Sequence, residues 1–190
     1  VSPNSNLSEN GTIWNFRSAF NVAALNCVPP TYASVNDHYT TFLIQMKKPL
    51  AKVNTALDAE YRSRNPGVSA TGALRLRDTA STDIYNYFSL PPLMPQFCAL
   101  MLRKGPEAAA LTEDQLYAFS KQTLDEIDAM YNQFYNDFEQ YKRDLAEWES
   151  VQGVRNSMFS SGALKPASPP AAAPAPIGPA PSGQAPVKDA

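Results

Sequence analysis

Residues 112–150, TEDQLYAFSKQTLDEIDAMYNQFYNDFEQYKRDLAEWES, decide the fold class of this 190-residue chain. Thr112 is a typical helix N-cap, and Glu113 and Asp114 follow it in the first turn, where the helix dipole favours anions. Apolar residues then recur every three or four positions, which is the spacing of one helical face. The members of this face are Leu116, Phe119, Thr123, Ile127, Met130, Phe134, Phe138, Tyr141, Leu145 and Trp148.

Four further helices are expected before this segment, because proline and glycine signals divide the preceding chain into helical stretches. Their predicted ranges are 12–26, 31–64, 71–89 and 95–104. Thr12 would cap the first of them. The signals that end them are Pro29-Pro30, Asn65-Pro66-Gly67, Pro91-Pro92 and Gly105-Pro106.

The second predicted helix, residues 31–64, carries its own narrow apolar seam. Pro49 lies inside it, and proline removes a backbone donor and clashes with the preceding turn. We therefore expect a kink or a break near Gln45–Lys48. The seam consists of Tyr39, Phe42, Met46, Leu50, Val53, Leu57 and Tyr61.

These patterns predict an all-α antiparallel helical bundle with two long helices, 31–64 and 112–150. A polar N-terminal arm over residues 1–11 would precede a bundle domain over 12–152, and a Pro/Ala-rich extended tail over 153–190 would follow. At about 1.5 Å per residue, the last helix would be roughly 60 Å long. Because this exceeds a compact bundle of this size, we expect part of a long helix to project or to pack on a partner.

Charge is distributed unevenly along the chain. The net charge of −2 argues against nucleic acid as a partner, since binders of nucleic acid usually carry a basic surplus. Residues 112–150 hold ten acids and three bases, whereas residues 1–111 hold ten bases and seven acids. The acidic helix is interpreted either as a match for the basic remainder of the chain or as a docking face for a basic partner.

The two cysteines, Cys27 and Cys98, bear on the compartment. An even number near element ends favours a disulfide in an oxidising compartment, and two buried free thiols are the alternative. The chain begins at Val1 and has no run of 18 apolar residues. We therefore expect a removed signal peptide and no direct transmembrane segment.

Little in the chain points to catalysis. The single histidine, His38, stands near a helix start, and it lacks the partners of a zinc site or a catalytic dyad. The carboxylate pairs Glu126/Asp128 and Asp137/Glu139 are two residues apart, so they do not share a helical face. We expect neither an enzyme nor a cofactor.

Two features favour binding to other proteins. Tyr131 and Tyr135 lie beside the apolar face of the last helix, and they are either core residues or part of a second packing surface for a partner. The tail from Lys165 to Ala190 has eight prolines and eight alanines, so it is expected to be extended and to lie along a partner. The tail residues predicted to bind are Pro169, Pro170, Pro174, Pro176, Ile177, Pro179 and Pro181.

Four short motifs resemble a group of small exported helical proteins of alphaproteobacteria. They are WNFRSAFNVAALNC at residues 14–27, EYR at 60–62, DIYNYF at 83–88 and FC at 97–98. The resemblance covers residues 12–104. It implies export to the periplasm and a disulfide between Cys27 and Cys98, and it brings no active-site residue.

The sequence therefore favours a non-catalytic accessory or scaffold subunit of a periplasmic or envelope-associated complex. Its partners would be other protein subunits of a larger assembly, membrane-embedded subunits included. The alternative is a bundle that binds a small ligand or pigment. That alternative predicts a cavity between the helices at 31–64 and 112–150, with at least one polar group converging on it.

Overall fold

The computed structural model describes residues 2–160, and within them all regular structure is helical. This confirms the all-α class. The first compact unit ends at Lys142, and the second begins at Arg143 and is described to residue 160. The six α-helices are α1 Glu9–Asn26, α2 Ala33–Gln45, α3 Lys47–Arg64, α4 Ala70–Phe88, α5 Met94–Ala108 and α6 Leu116–Ser160. Short 3-10 turns at Pro30–Tyr32, Pro91–Leu93 and Glu113–Gln115 precede α2, α5 and α6.

Helix α1 begins three residues before the predicted start at Thr12. Its N-cap is Ser8, whose Oγ accepts a hydrogen bond of 3.1 Å from the Gly11 amide. Thr12 instead donates from Oγ1 to the Ser8 carbonyl, at 2.9 Å. Both residue types cap helices well. Ser8 takes the role because its hydroxyl is also held by Glu60 of α3, at 2.6 Å.

The predicted second helix is broken at Met46, which separates α2 from α3. A kink or a break was expected near Gln45–Lys48, and the structure has a break there. Pro49 falls in the first turn of α3, where a missing amide hydrogen leaves no helical hydrogen bond unmade. Of the seven seam residues in the predicted helix over 31–64, six are buried, namely Tyr39, Phe42, Met46, Leu50, Val53 and Leu57.

Helix α5 does not end at Gly105-Pro106 as expected but continues to Ala108. Pro106 lies in the last turn, where it cannot donate to the Leu102 carbonyl, and the helix extends only two residues beyond it. Gly105 has a packing role. A Cβ atom at this position would lie 2.6 Å from Nδ1 of His38 in α2, so only glycine allows the two helices this approach.

The disulfide between Cys27 and Cys98 is present, with the two Cα atoms 5.5 Å apart. It joins the end of α1 to α5, so the prediction of paired cysteines is confirmed. The core that contains both cysteines also contains an aromatic cluster in which the Phe16 ring of α1 contacts Phe42 of α2 at 5.6 Å and Phe119 of α6 at 5.3 Å. The start of α6 is thus an integral part of the bundle.

Candidate functional site: the exposed face of the last helix

One face of α6 changes from buried to exposed within the first unit. Leu124, Ile127 and Tyr131 are buried in the core. Phe138 is 47% exposed and Tyr141 is 59% exposed, although both follow the same helical spacing. Among the described residues, the ring contacts of Phe138 are with its own helix, Phe134 at 6.4 Å and the Lys142 ammonium at 5.5 Å.

Tyr131 lies in the core and not on a partner-facing surface, which corrects the interpretation of it as a partner contact. Its hydroxyl donates a hydrogen bond of 3.1 Å to the Phe88 carbonyl at the end of α4, and its ring lies 4.4 Å from that of Tyr87. Burial raises the pKa of the Tyr131 hydroxyl above its ordinary value. The buried face is turned by one residue from the predicted one, since it passes through Tyr131 while Met130 is half-buried.

Tyr135, the other tyrosine expected to bind a partner, is 46% exposed. Its ring packs on Phe134 at 5.5 Å. It also lines a shallow depression with Ser2, Tyr87 and Asn132. Its partner-binding role remains a prediction, and its position next to Phe134 and Phe138 is compatible with one.

The described part of the second unit, residues 143–160, also shows large apolar side chains to solvent. Trp148 is 59% exposed and Leu145 is 37% exposed. Val151 and Val154 are more than half exposed. In the sequence, Leu145 and Trp148 continue the spacing of Phe138 and Tyr141, with steps of four and three residues.

The acidic residues of α6 fall into two groups. Near its start, Glu126 forms an ion pair of 2.6 Å with Lys104 of α5. Just before the start of α6, Glu113 pairs with Lys52 of α3 at 2.9 Å. These pairs support charge matching inside the bundle. Further along, the ion pair between Glu139 and Lys142, at 2.8 Å, stays within α6.

A separate cleft of about 240 Å³ lies between α1, α3 and α4, and the N-terminal arm borders it. The cavity of the small-ligand hypothesis was expected between the predicted helices at 31–64 and 112–150. This cleft does contact α3, but its other walls are α1 and α4, not α6. Its lining includes Trp14, Leu57, Arg64, Arg77 and Ile84.

Arg77 is the most buried charged residue of this cleft, and its charge is balanced within the fold. The guanidinium forms an ion pair with Asp58 and donates to the Asn54 side-chain oxygen at 2.6 Å. It also stacks over the Trp14 ring, 4.8 Å from its centre. These contacts join α4 to α3 and α1, so Arg77 has a structural role.

The N-terminal arm is held by side chains of the bundle. Glu60 accepts hydrogen bonds from Ser8 at 2.6 Å and from Asn10 at 2.8 Å. Partial burial pushes the pKa of Glu60 upward, but these two hydrogen bonds and the charge of Arg64 outweigh burial and lower the pKa. Asn4 donates to Asp128 of α6 at 2.7 Å, so the arm also contacts the last helix.

His38 packs against Gly105, and its Nδ1 atom is buried without a hydrogen-bond partner among residues 2–160. Across those same residues, no group of three histidine, cysteine, aspartate or glutamate side chains is arranged to hold a metal ion. The helices of this part of the chain include none that is both long and apolar enough to cross a membrane.

The predicted extended tail over 153–190 begins too early, because α6 continues to Ser160. The rest of the tail and its predicted contacts lie outside the described residues. These contacts are Pro169, Pro170, Pro174, Pro176, Ile177, Pro179 and Pro181. Comparison of the chain with protein-family models, with curated proteins and with solved structures yields no match.

Proposed function

We propose that this protein is a non-catalytic accessory or scaffold subunit of a periplasmic or envelope-associated complex. An antiparallel helical bundle would form its rigid body, and the last helix would bind a neighbouring subunit. The observation that carries this proposal is the exposure of Phe138 and Tyr141 on a face whose earlier residues form the core of the bundle. Apolar patches of this kind mark interaction sites on soluble proteins.

The free energy that a partner would gain by burying this apolar face supports the proposal. Fully burying a large apolar side chain contributes about 1.5 to 3 kcal/mol. Phe138 and Tyr141 in the first unit, and Leu145 and Trp148 in the second, would each gain part of that energy under a partner. Aromatic residues are also the side chains that most often dominate binding at protein interfaces.

The disulfide supports the proposed compartment, because such bonds persist in the periplasm and in other oxidising environments. The tail would then lie along the partner. At about 3.1 Å per residue, a polyproline II segment over residues 165–190 reaches roughly 80 Å. Such a segment loses little conformational freedom on binding, which favours a long and shallow contact.

Site-specific photo-cross-linking in native envelopes tests this function. A photoreactive phenylalanine analogue would replace Phe138, and a matched control would replace Leu76, an apolar residue of α4 that is 43% exposed. We expect one recurrent protein adduct from position 138 and none from position 76. Equal labelling from both positions, or no protein adduct from position 138, would contradict the proposal.

Deleting residues 163–190 distinguishes the contribution of the tail to partner binding from that of the last helix. If the tail lies along the partner, its deletion weakens co-purification of the protein identified by cross-linking. If the tail does not bind, co-purification is unchanged, and the partner is bound by the last helix alone.

The cleft beside Trp14 favours a second candidate function, the binding of a small ligand. Its walls are mainly apolar, so 8-anilinonaphthalene-1-sulfonate, an aromatic dye that fluoresces in apolar sites, is a suitable probe. We expect dye fluorescence to rise on binding and to fall when Ala80→Leu narrows the cleft. Equal dye fluorescence in the parent and in Ala80→Leu would contradict this candidate.

A further inference from the structure

We propose that the exposed face of α6 pairs with an amphipathic helix of the partner protein, and that basic residues flank the apolar stripe of that helix. This inference rests on the proposed function, and it adds the shape and the charge of the binding partner.

The shape follows from the heptad spacing of the face. From Leu124 to Trp148 the apolar positions advance by three and four residues in strict alternation, which is the spacing that packs one helix against another. The part of this series that lies in the first unit, here named the α6 seam, is Leu124, Ile127, Tyr131, Phe134, Phe138 and Tyr141.

The first part of the α6 seam already packs against helices. Leu124, Ile127 and Tyr131 are buried, and Tyr131 contacts Tyr87 and Phe88 at the end of α4. The spacing does not change where the covering helices end, so Phe138 and Tyr141 continue the pattern of an established helix–helix interface. A helix is therefore the occupant that this face suits best.

Charge distinguishes between possible helices. Residues 132–150 hold five acids, Asp137, Glu139, Asp144, Glu147 and Glu149, against two bases, Lys142 and Arg143. A second copy of the chain would bring the same net charge of −3 to the interface, and like charges across an interface oppose pairing. A helix with lysine or arginine beside its apolar stripe would reduce this repulsion and replace it with attraction.

Three synthetic helices test the inference on the full-length chain. One carries leucine at the seam positions and lysine at the flanking positions over three heptads. The second has glutamate in place of lysine, and the third has the composition of the first in scrambled order. Fluorescence anisotropy at physiological salt measures the affinity of each. We expect the lysine helix to bind at least about tenfold more tightly than the other two.

Variants of the chain locate the binding surface. The double variant Phe138→Ser/Tyr141→Ser should weaken binding of the lysine helix by about tenfold or more. Leu76→Ser, the control, removes an exposed apolar residue of α4 and should bind as the parent does. Thermal unfolding checks that the bundle of each variant is intact. We expect melting temperatures close to that of the parent, because all three residues are solvent-exposed.

Several results would overturn the inference. Equal affinity for the lysine and glutamate helices would remove the charge preference, and equal affinity for the scrambled peptide would reduce the binding to general electrostatics. A dimer in sedimentation equilibrium that is lost in the double variant would assign the face to a second copy. If no helix binds while Phe138 still cross-links to a partner, this inference fails and the proposed function stands. The absence of a cross-link is the result that contradicts the proposed function itself.

Discussion

Glu60 joins the N-terminal arm to α3 through two short hydrogen bonds, from Ser8 and Asn10. The ion pair with Arg64 on the next turn, at 2.8 Å, stabilises the negative charge of this carboxylate. Because Ser8 is also the N-cap of α1, a single side chain on one helix stabilises the start of another.

Replacing Glu60 with glutamine should destabilise the protein by roughly 1.5 to 3 kcal/mol at pH 7, the range for hydrogen bonds to a charged group. The folded-state pKa of Glu60 lies below its ordinary value of 4.5. Its contribution is therefore complete above the unfolded pKa and is lost as the pH falls through the lower folded pKa. Urea unfolding of parent and variant should differ at pH 7 and converge once the pH lies below the folded-state pKa of Glu60. Glu107→Gln, an exposed control, should match the parent at both values.

The ion pair between Arg77 and Asp58 is a second interaction that depends on individual side chains. Asp58→Leu would leave the buried guanidinium without its counter-ion, at a cost of about 3 kcal/mol in the free energy of unfolding. Replacing both, as Arg77→Met/Asp58→Leu, should recover most of the loss because no charge remains buried. A double-mutant cycle by chemical denaturation measures this. Additive losses from the two single changes would contradict the coupling.

At the scale of the element, α6 combines two environments on one face. Tyr131→Ser should lower the free energy of unfolding by about 3 to 5 kcal/mol, as for other large residues removed from a core. Tyr135→Ser should change it by less than about 0.5 kcal/mol, since the side chain is half exposed. Thermal melts of the two variants distinguish them, and Tyr131→Phe isolates the hydrogen bond to Phe88. A similar loss in both serine variants would show that Tyr135 also belongs to the core.

Helices α2 and α3 show how far an element is determined locally. The break near Pro49 and the buried seam follow from proline geometry and apolar spacing, so both were predictable. The extension of α5 past Gly105-Pro106 was not predicted, because a Gly-Pro pair ordinarily ends a helix. The role of Ser8 as the N-cap of α1 was also not predicted, because it is reinforced by Glu60, which lies 52 residues away in the chain.

At the scale of the whole molecule, the disulfide closes a long loop from α1 to α5. With a sequence separation of 71, the chain-entropy relation gives a stabilisation of about 4 kcal/mol. Cys27→Ser/Cys98→Ser should lose about this amount in urea unfolding, and a reductant should have no further effect on the variant. A parent protein whose stability is unchanged by reductant would contradict the expected stabilisation.

The amino-acid sequence by itself determined the all-helical class, an interruption of the second predicted helix near Pro49 and the presence of an apolar face on the last helix. Each of these depends on dihedral preferences and on spacing within a few residues. The tertiary structure alone decided that Tyr131 belongs to the core and that Phe138 remains exposed. Burial depends on which distant segments cover a face, and α4 ends beside Tyr131. One seam therefore serves the interior of the bundle up to that point and meets solvent beyond it.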